Sequence, residues 1–212
     1  MKVLPTFQYE SEQWERGKLT VAGLDEVGRG AFAGPVVTAA VIFKPYYKFK
    51  NDHLNTIDDS KRLSAKRRVE LAEIIKEEAL CFSISEIPLS IINEKGISEA
   101  AQASFLASYK ALCHPCDFLL IDGFLIKKIH KNLQLPIIHG DRLSISIAAA
   151  SILAKVYRDQ RMDELHSMYP EYGFNENKGY GTAYHRKQIG DYDLSPVHRT
   201  SFNLGRYSKG TA

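Results

Sequence analysis

Apolar residues recur along this chain with two different spacings. Short runs rich in β-branched and other apolar residues predict five strands, at residues 19–24, 35–43, 81–87, 117–121 and 135–139. Longer stretches with apolar positions three or four residues apart predict helices, at residues 64–80, 97–112, 146–166 and from about residue 182. Because strands and helices are interleaved, the pattern predicts an α/β layer architecture.

The long predicted helix and the chain after it suggest a domain organisation. Its first half, IAAASILA at residues 147–154, is apolar on nearly every side and should therefore be buried. After Pro170 the chain becomes polar and rich in glycine. We expect one domain over residues 1–212, with a core over about 19–168 and a C-terminal helical extension over about 169–206.

The composition is that of a globular domain rather than of a fibrous, disordered or membrane-spanning chain. Of 212 residues, 44% are hydrophobic and 25% are charged. No apolar run approaches the roughly 20 residues of a spanning helix, and the first residues lack the pattern of a signal peptide. No helix has an obvious exposed apolar seam. We therefore expect a cytoplasmic monomer that makes no contact with a membrane.

The net charge of +3 is small, so a polyanionic partner would need a local basic patch. One candidate lies between Lys44 and Arg68, where eight Lys or Arg residues stand against three Asp. A solvated loop and helix face is the alternative interpretation of this basic stretch.

The three cysteines are too few for a disulfide framework. Cys113 and Cys116 have the spacing of a redox or zinc motif, but no second ligand pair accompanies them. We interpret the cysteines as incidental.

Acidic residues follow three of the predicted strands, where each apolar run ends. Asp25 and Glu26 come directly after VAGL. Asp122 ends FLLI, and Asp141 follows LPIIHG. In open α/β sheets, sites form at the edge where the strands have their carboxyl ends. Carboxylates gathered there would repel one another unless a hard divalent cation such as Mg²⁺ or Mn²⁺ neutralised them. A turn or helix-cap role is the alternative for each acid taken alone.

Asp25 and Glu26 can share such a site only under a geometric condition. Successive strand residues point to opposite faces of a sheet, so the strand has to end or bend at these two residues. Gly28 and Gly30 would permit the bend, because glycine adopts backbone conformations closed to other residues.

The Gly-Arg-Gly turn at residues 28–30 has three interpretations. With Ala33 it fits a loose dinucleotide-binding pattern, but that pattern requires a helix to follow, and Pro35 and a β-branched run follow instead. A turn whose backbone N–H groups face a phosphate, with Arg29 beside it, is the second. A plain glycine turn is the third.

Short motifs in a fixed order occupy most of the chain. They are DEVGRG (25–30) with GPVV (34–37), DSKRLS (59–64), LIDG (120–123), GD (140–141) running into AAASILAKV (148–156) and RD (158–159), YGF (172–174), KGYGT (178–182) with His185, and HR (198–199) with SF (201–202). In this order they resemble type 2 ribonuclease H, the bacterial ribonuclease HII, from about residue 21 to residue 206.

This resemblance implies a ribonuclease H-like mixed β-sheet flanked by helices, with a C-terminal helical extension. It implies an endoribonuclease that hydrolyses the RNA strand of RNA–DNA hybrids and incises 5′ to ribonucleotides embedded in duplex DNA. A pair of divalent ions, Mn²⁺ or Mg²⁺, would act together in the reaction. The ligands implied are Asp25, Glu26, Asp122 and Asp141. Asp159 also falls in a family motif, but we expect a structural role because it lies on the long predicted helix.

The resemblance also assigns residues to the substrate. It implies that the backbone of Gly28, Arg29 and Gly30 reads the ribose 2′-OH and that Tyr180 packs on the next sugar. Glycine lets backbone amides approach a ligand, and tyrosine offers a flat apolar face. We expect phosphate contacts from Lys61, Arg29 and the basic stretch. A core role for Tyr180 and a local ion pair between Lys61 and a neighbouring aspartate are the alternatives.

Three other functions compete with this one. Another metal-dependent nuclease of the same fold would share the carboxylates without needing a 2′-OH. A binding module would hold hybrids without cleaving them, and a nucleotide-cofactor protein would bind NAD or ATP. His185 and His198 lack a Ser or Cys in triad context, so we expect structural roles for both. Asn177 and Arg142 stand where many relatives have His and Ser.

Overall fold

One mixed β-sheet organises the molecule, for which a computed structural model describes residues 4–48 and 63–207. Its strands are β1 (Val21–Val27), β2 (Val36–Ile42), β3 (Cys81–Ile87), β4 (Phe118–Asp122) and β5 (Gln134–Ile137). They lie in the order β3-β2-β1-β4-β5. β2 is antiparallel to β1 and β3, whereas β4 runs parallel to β1 and β5. The carboxyl ends of β1, β4 and β5 therefore meet at one edge.

Helices cover both faces of this sheet. They are α1 (Gln8–Trp14), α2 (Ala65–Glu78), α3 (Leu89–Lys110), α4 (Ile145–Met168), α5 (Phe174–Asn177) and α6 (Ala183–Tyr192). On one face, α2 and α4 bury residues such as Leu71 and Ala149 against Val41 of β2. On the other face, Phe105 of α3 packs against Leu24. The predicted α/β fold, a mixed sheet flanked by helices, is confirmed.

Small residues let α4 lie close against the centre of the sheet. A Cβ added at Gly23 of β1 would lie only 2.2 Å from the backbone carbonyl carbon of Ser146. The alanines at residues 148–150 are fully buried. Ser144 caps the helix by accepting a hydrogen bond from the N–H of Ile147 at 3.2 Å. This packing fixes the first turns of α4 beside the edge where β1 ends.

Several elements differ from their predicted bounds at one or both ends, and the differences in α3 and β5 have a clear physical reason. α3 begins at Leu89, two turns before the predicted start, and bends at Gly96, whose φ is 78°. Because this left-handed residue interrupts the helix, the apolar spacing indicates only the part after it. β5 ends at Ile137 rather than at residue 139, because His139 also adopts a left-handed φ of 57°.

The sequence pattern does not predict α1, because seven residues are too few to show a helical period. A buried acid holds this helix in place. Oε1 of Glu10 accepts hydrogen bonds from the Ser144 hydroxyl at 2.6 Å and from the Ser146 N–H at 2.9 Å. α1 is thereby attached to the start of α4.

The chain after α4 forms a small apolar cluster of its own. Tyr172, Phe174 and Ile189 pack against Ala33 and Met162. α6 begins at the predicted position, with the Thr182 hydroxyl accepting from the N–H of His185 at 3.2 Å. The division into a core and a C-terminal extension, with its boundaries, stays a prediction.

Two of the three cysteines are paired in the structure, while the interpretation of the cysteines as incidental to function stays a prediction. Cys81, at the start of β3, and Cys113, just after α3, form a disulfide. The 32 residues between them hide this pairing from a search for short motifs. Cys116 is a free thiol, and burial raises its pKa to about 11.

Most of the basic stretch between Lys44 and Arg68, including Lys61, lies outside the described residues. In the part of the chain that the structure describes, none of the helices has the length and apolar character needed to cross a bilayer.

Candidate active site

Four carboxylates meet where the parallel strands end. Asp25 and Glu26 belong to β1, and Asp122 is the last residue of β4. Asp141 lies in a 3₁₀ turn, Gly140–Arg142, between β5 and α4. All four line one cleft of about 540 Å³. Its other lining residues include Gly28, Arg29, Gly30, Ser151, Lys155 and Tyr180. The cleft gathers every predicted site residue that the structure describes, and Lys61 lies outside the described residues.

The expected bend at Asp25 and Glu26 is wrong. β1 continues to Val27, with Asp25 opposite Ala39 and Glu26 opposite Thr38 of β2. Both side chains nevertheless reach the cleft, because β4 pairs with β1 only as far as Leu24. Beyond Leu24, no described strand pairs with β1 on the side of β4. The side chains of Asp25 and Glu26 can therefore both reach the cleft at this edge of the sheet.

Asp25 is buried among other acids. Its Oδ1 accepts a hydrogen bond from the N–H of Glu26 at 2.7 Å, and the Ser151 hydroxyl of α4 also bonds it. Burial, followed by repulsion from Glu26 and Asp122, raises the pKa of Asp25 well above its usual range. A bound proton or a bound cation would offset the unfavourable negative charge of this buried carboxylate.

Glu26 has one bonded and one unbonded oxygen. Its Oε1 lies 3.2 Å from Nη1 of Arg29, while its Oε2 is buried and has no hydrogen-bond partner among the described residues. Burial raises the pKa of Glu26 to about 7, although the bond to Arg29 acts in the opposite direction. A buried oxygen without a partner is a costly arrangement that a cation would relieve.

Asp122 is held by the turn that carries Asp141. Its Oδ1 accepts from the N–H of Gly140 at 2.7 Å. A Cβ at Gly140 would lie 2.6 Å from Cδ1 of Ile147, so that side chain would have to shift. The hydrogen bond from Gly140 ties Asp122 to the turn that carries Asp141.

The chemistry of these four acids suits a hard divalent cation, but their side chains are not placed closely enough to bind one together. All four donors are carboxylates, one has a buried free oxygen, and the pKa of another is raised by its neighbours. Within residues 4–48 and 63–207, no three His, Cys, Asp or Glu side chains are grouped closely enough to hold an ion. Oxygens of Glu26 and Asp122 are bonded to Arg29 and Gly140. Small rotations of these side chains would be needed to receive a cation.

The first three residues of the glycine loop, residues 28–35, also line the cleft. The φ of Gly28 is 99°, and a Cβ there would lie 2.2 Å from Nε of Arg158. A Cβ at Gly30 would meet open space. Strand β2 follows this loop where a dinucleotide-binding motif would have a helix, so that interpretation is wrong.

The glycine loop is joined to the segment that carries Tyr180. The N–H groups of Phe32 and Ala33 both donate to the carbonyl oxygen of Gly179, at 2.8 and 3.2 Å. Tyr180 itself is 37% exposed and lines the cleft. The alternative of a core role for Tyr180 is therefore wrong.

Sequence reasoning missed two polar residues of the cleft, Ser151 and Lys155. They lie one turn apart on α4, as i and i+4. Lys155 donates to Oδ1 of Asp159 at 2.7 Å, and Arg68 lies 3.4 Å from the other oxygen of that carboxylate. Asp159 does not line the cleft, in line with its expected structural role. The signal that could have identified Ser151 and Lys155 is that they are the polar residues inside the apolar run IAAASILAK.

Comparisons with known proteins identify the family of this chain. A family model described as Ribonuclease HII matches residues 22–204. The ribonuclease HII of Clostridioides difficile (strain 630) is 44% identical over 194 residues, which is 92% of this chain and 74% of that protein. The chain belongs to the ribonuclease HII family. It is therefore a type 2 ribonuclease H, a hydrolase of a metal-dependent class that acts on RNA-containing nucleic acid.

Solved structures of related enzymes share the fold of this ribonuclease HII. The ribonuclease H2 from Pyrococcus horikoshii OT3 matches with a TM-score of 0.73 at 22% identity, covering 88% of this chain and 95% of that one. Bst-RNase HIII in complex with Mn²⁺ matches with a TM-score of 0.69 at 21% identity, covering 90% of this chain and 69% of that one. At these identities the likeness concerns the fold alone.

Proposed function

We propose that this ribonuclease HII hydrolyses the RNA strand of RNA–DNA hybrids and incises 5′ to ribonucleotides embedded in duplex DNA. The observation that carries the proposal is the cleft itself. Four carboxylates line it together with residues 28–30 of the glycine loop, which is hydrogen-bonded to the segment that carries Tyr180. The carboxylates suit the chemistry of phosphodiester hydrolysis, and the glycine loop with Tyr180 suits recognition of a ribose. A cytoplasmic location and a monomeric state stay predictions.

The reaction needs an activated water and a stabilised leaving group. We assign Asp25, Glu26, Asp122 and Asp141 as the ligands of two divalent ions, Mn²⁺ or Mg²⁺. Such a pair supplies a water of lowered pKa and neutralises the charge that develops on the leaving 3′ oxygen. The Mn²⁺ in the Bst-RNase HIII structure is consistent with this cofactor class.

The other residues of the cleft hold the substrate. The backbone N–H groups of the glycine loop at Arg29 and Gly30 would bond the ribose 2′-OH, which DNA lacks. Tyr180 would pack its exposed ring on the adjoining sugar. Lys155 and Arg29 place positive charge in the cleft, where phosphates would lie. Lys61 would add a further phosphate contact.

Substitution of Asp122 tests the role of the carboxylates. Asp122→Asn keeps the size of the side chain and removes its charge, so we expect cleavage of an RNA–DNA hybrid to fall by at least about 100-fold, because even outer partners of a metal are worth 10- to 100-fold. The measurement is initial rate with Mn²⁺, with Mg²⁺ and with EDTA. Asp117→Asn is the matched control, since Asp117 lies at the other end of β4 and bonds Thr20.

Each other outcome favours a named alternative. Near-normal turnover in Asp122→Asn, or turnover in EDTA, would contradict the proposed metal site. Hybrid binding by the unaltered protein without cleavage would indicate a binding module. Equal cleavage of an all-DNA duplex would indicate a different nuclease of this fold.

A further inference from the structure

Two arginines lie fully buried behind the glycine loop. Arg158 belongs to α4 and Arg199 follows α6, and the relative exposure of both is 0%. A buried charged side chain is normally paired with an opposite charge. Within residues 4–48 and 63–207, neither guanidinium forms an ion pair with a carboxylate. Their hydrogen bonds go to backbone carbonyl oxygens instead.

Arg158 connects the glycine loop with the segment that carries Tyr180, the two segments proposed to contact the sugar of the substrate. Its Nε donates to the carbonyl oxygen of Pro35 at 3.0 Å, and its Nη2 donates to that of Ala33 at 3.2 Å. Its Nη1 donates to the carbonyl oxygen of Lys178 at 2.8 Å. The same guanidinium lies 5.4 Å from the ring centroid of Tyr180. One side chain therefore spans the glycine loop and the segment that carries Tyr180.

Arg199 holds the glycine loop from its other side. Its Nη1 donates to the carbonyl oxygen of Arg29 at 2.8 Å. Its Nε and Nη2 donate to that of Gly34 at 3.1 and 2.9 Å, and Nη2 also lies 3.2 Å from that of Pro35. Both ends of the loop are thus attached to one planar group.

The bonds to these carbonyls leave amides available on the cleft side. Among the described residues, the N–H groups of Arg29 and Gly30 have no hydrogen-bond partner, and both residues line the cleft. The carbonyl of Arg29 is meanwhile bonded to Arg199. The carbonyl groups of the loop therefore point inward to the arginines, while the N–H groups of Arg29 and Gly30 remain available at its exposed tip.

Placing two like charges together inside the protein is unfavourable. Burial, and then repulsion from Arg158, lowers the pKa of Arg199 to about 9, which leaves Arg199 charged at neutral pH. Burial also lowers the pKa of Arg158. Aliphatic side chains would fill the same space without this repulsion. They would leave the loop carbonyls without donors, which is also unfavourable. The multiple donors of the guanidinium explain why arginine occupies both positions.

We infer that Arg158 and Arg199 are positioning residues, which hold the glycine loop and Tyr180 in the mutual placement that selects a single ribonucleotide. This inference rests on the proposed function. Among the described residues, neither arginine is hydrogen-bonded to any of the four carboxylates of the cleft. They act through the loop amides and through the Tyr180 ring, so their loss should impair selection of a junction more than hydrolysis as such.

Arg158→Lys is the direct test, because lysine keeps the charge but cannot span three carbonyls. We expect kcat/KM on a duplex with one ribonucleotide to fall about tenfold more than kcat/KM on a long RNA–DNA hybrid. The Mn²⁺ concentration for half-maximal hybrid cleavage should stay unchanged. Arg161→Lys, on the exposed side of the same helix and paired with Glu86, is the matched control.

A double-mutant cycle separates positioning from general loss of structure. If Arg158 acts through Tyr180, combining Arg158→Lys with Tyr180→Ala should add little to the loss of selectivity that either change causes alone. Additive losses would overturn the inference for this pair. Urea midpoints of all variants report folding. If Arg158→Lys does not fold, Arg199→Lys tests the same loop from the opposite side.

The outcomes distinguish this inference from the proposed function. Equal losses on both substrates, or an unchanged ratio in folded variants, would overturn the positioning role. If the unaltered protein fails to incise the single-ribonucleotide duplex, the proposed function fails and this inference fails with it.

Discussion

Glu26 is bonded to Arg29 through one carboxylate oxygen, and its other oxygen is buried without a partner among the described residues. Its pKa of about 7 means that it is partly protonated near neutral pH. Asp25 beside it also has a raised pKa. At the scale of single residues, both shifts favour protonated carboxyl groups, so a metal would have to compete with protons for these ligands.

Proton release on metal binding follows from these two pKa values. Metal ligands must be deprotonated, so we expect Mn²⁺ to bind more tightly as the pH rises from 6 to 8 and to release protons on binding. Titration calorimetry at pH 6.5 in two buffers of different ionisation enthalpy measures the released protons. Glu26→Gln should release fewer. Binding without any proton release would contradict the assignment of these acids.

The positions of the carboxylates could be predicted from the sequence, because each follows an apolar run and parallel strands end at one edge. The hydrogen-bond partners of Ser151, Arg158 and Arg199 could not be predicted from the sequence. Their bonds join segments up to 170 residues apart in the chain, and such contacts depend on how α4 and the C-terminal chain pack. A buried arginine that bonds only carbonyls has no signature in a single sequence.

At the scale of elements, the close contact between α4 and β1 positions the site. The helix lies against Gly23, two residues before Asp25, and supplies Ser151 to that carboxyl. The sequence pattern predicts that both elements exist, although it ends β1 at Leu24 rather than at Val27. It does not indicate the distance between them, which depends on Gly23 and on the alanines of α4.

Gly23→Ala tests this contact. The added Cβ would lie 2.2 Å from the backbone of Ser146, which cannot move without shifting α4. We expect the free energy of unfolding to fall by about 1–3 kcal/mol, measured by urea denaturation. Gly30→Ala is the control, because a Cβ there meets open space and should leave the urea midpoint unchanged. Equal stability of the two variants would contradict the packing described.

At the scale of the whole molecule, a chain of hydrogen bonds joins the C-terminal segment to the cleft. The N–H of Ser195 donates to Nδ1 of His198 at 2.9 Å, which leaves the proton of His198 on Nε2. That proton is donated to Nε2 of His185 at 2.9 Å, and Nδ1 of His185 donates to the carbonyl oxygen of Tyr180 at 2.9 Å. Each ring carries one proton. Both histidines have the structural roles that the sequence predicts.

Acidification should break this chain. Burial, and then His185, lowers the pKa of His198 from 6.5 to about 4. Because the unfolded chain binds this proton more readily, the contribution of His198 to stability is present above pH 6.5 and is lost as the pH falls towards 4. The full loss is about 3 kcal/mol.

The comparison with His198→Gln isolates that contribution from other titrating groups. We expect the difference in unfolding free energy between the unaltered protein and this variant to be largest at pH 7.5 and to shrink by pH 5. Urea denaturation at several pH values measures it. A difference that does not change with pH would show that His198 is not held neutral by the fold.

The central claim is that one cleft combines metal-dependent hydrolysis with recognition of a ribose. The most direct measurement uses a DNA duplex with one ribonucleotide and the same duplex carrying a 2′-fluoro sugar at that position, both with Mn²⁺. We predict a single nick on the 5′ side of the ribonucleotide and no cleavage of the fluoro duplex. The loop N–H groups need a strong acceptor, which the oxygen of the 2′-OH provides and carbon-bound fluorine does not. Equal cleavage of both duplexes, or nicks elsewhere in the strand, would contradict the account.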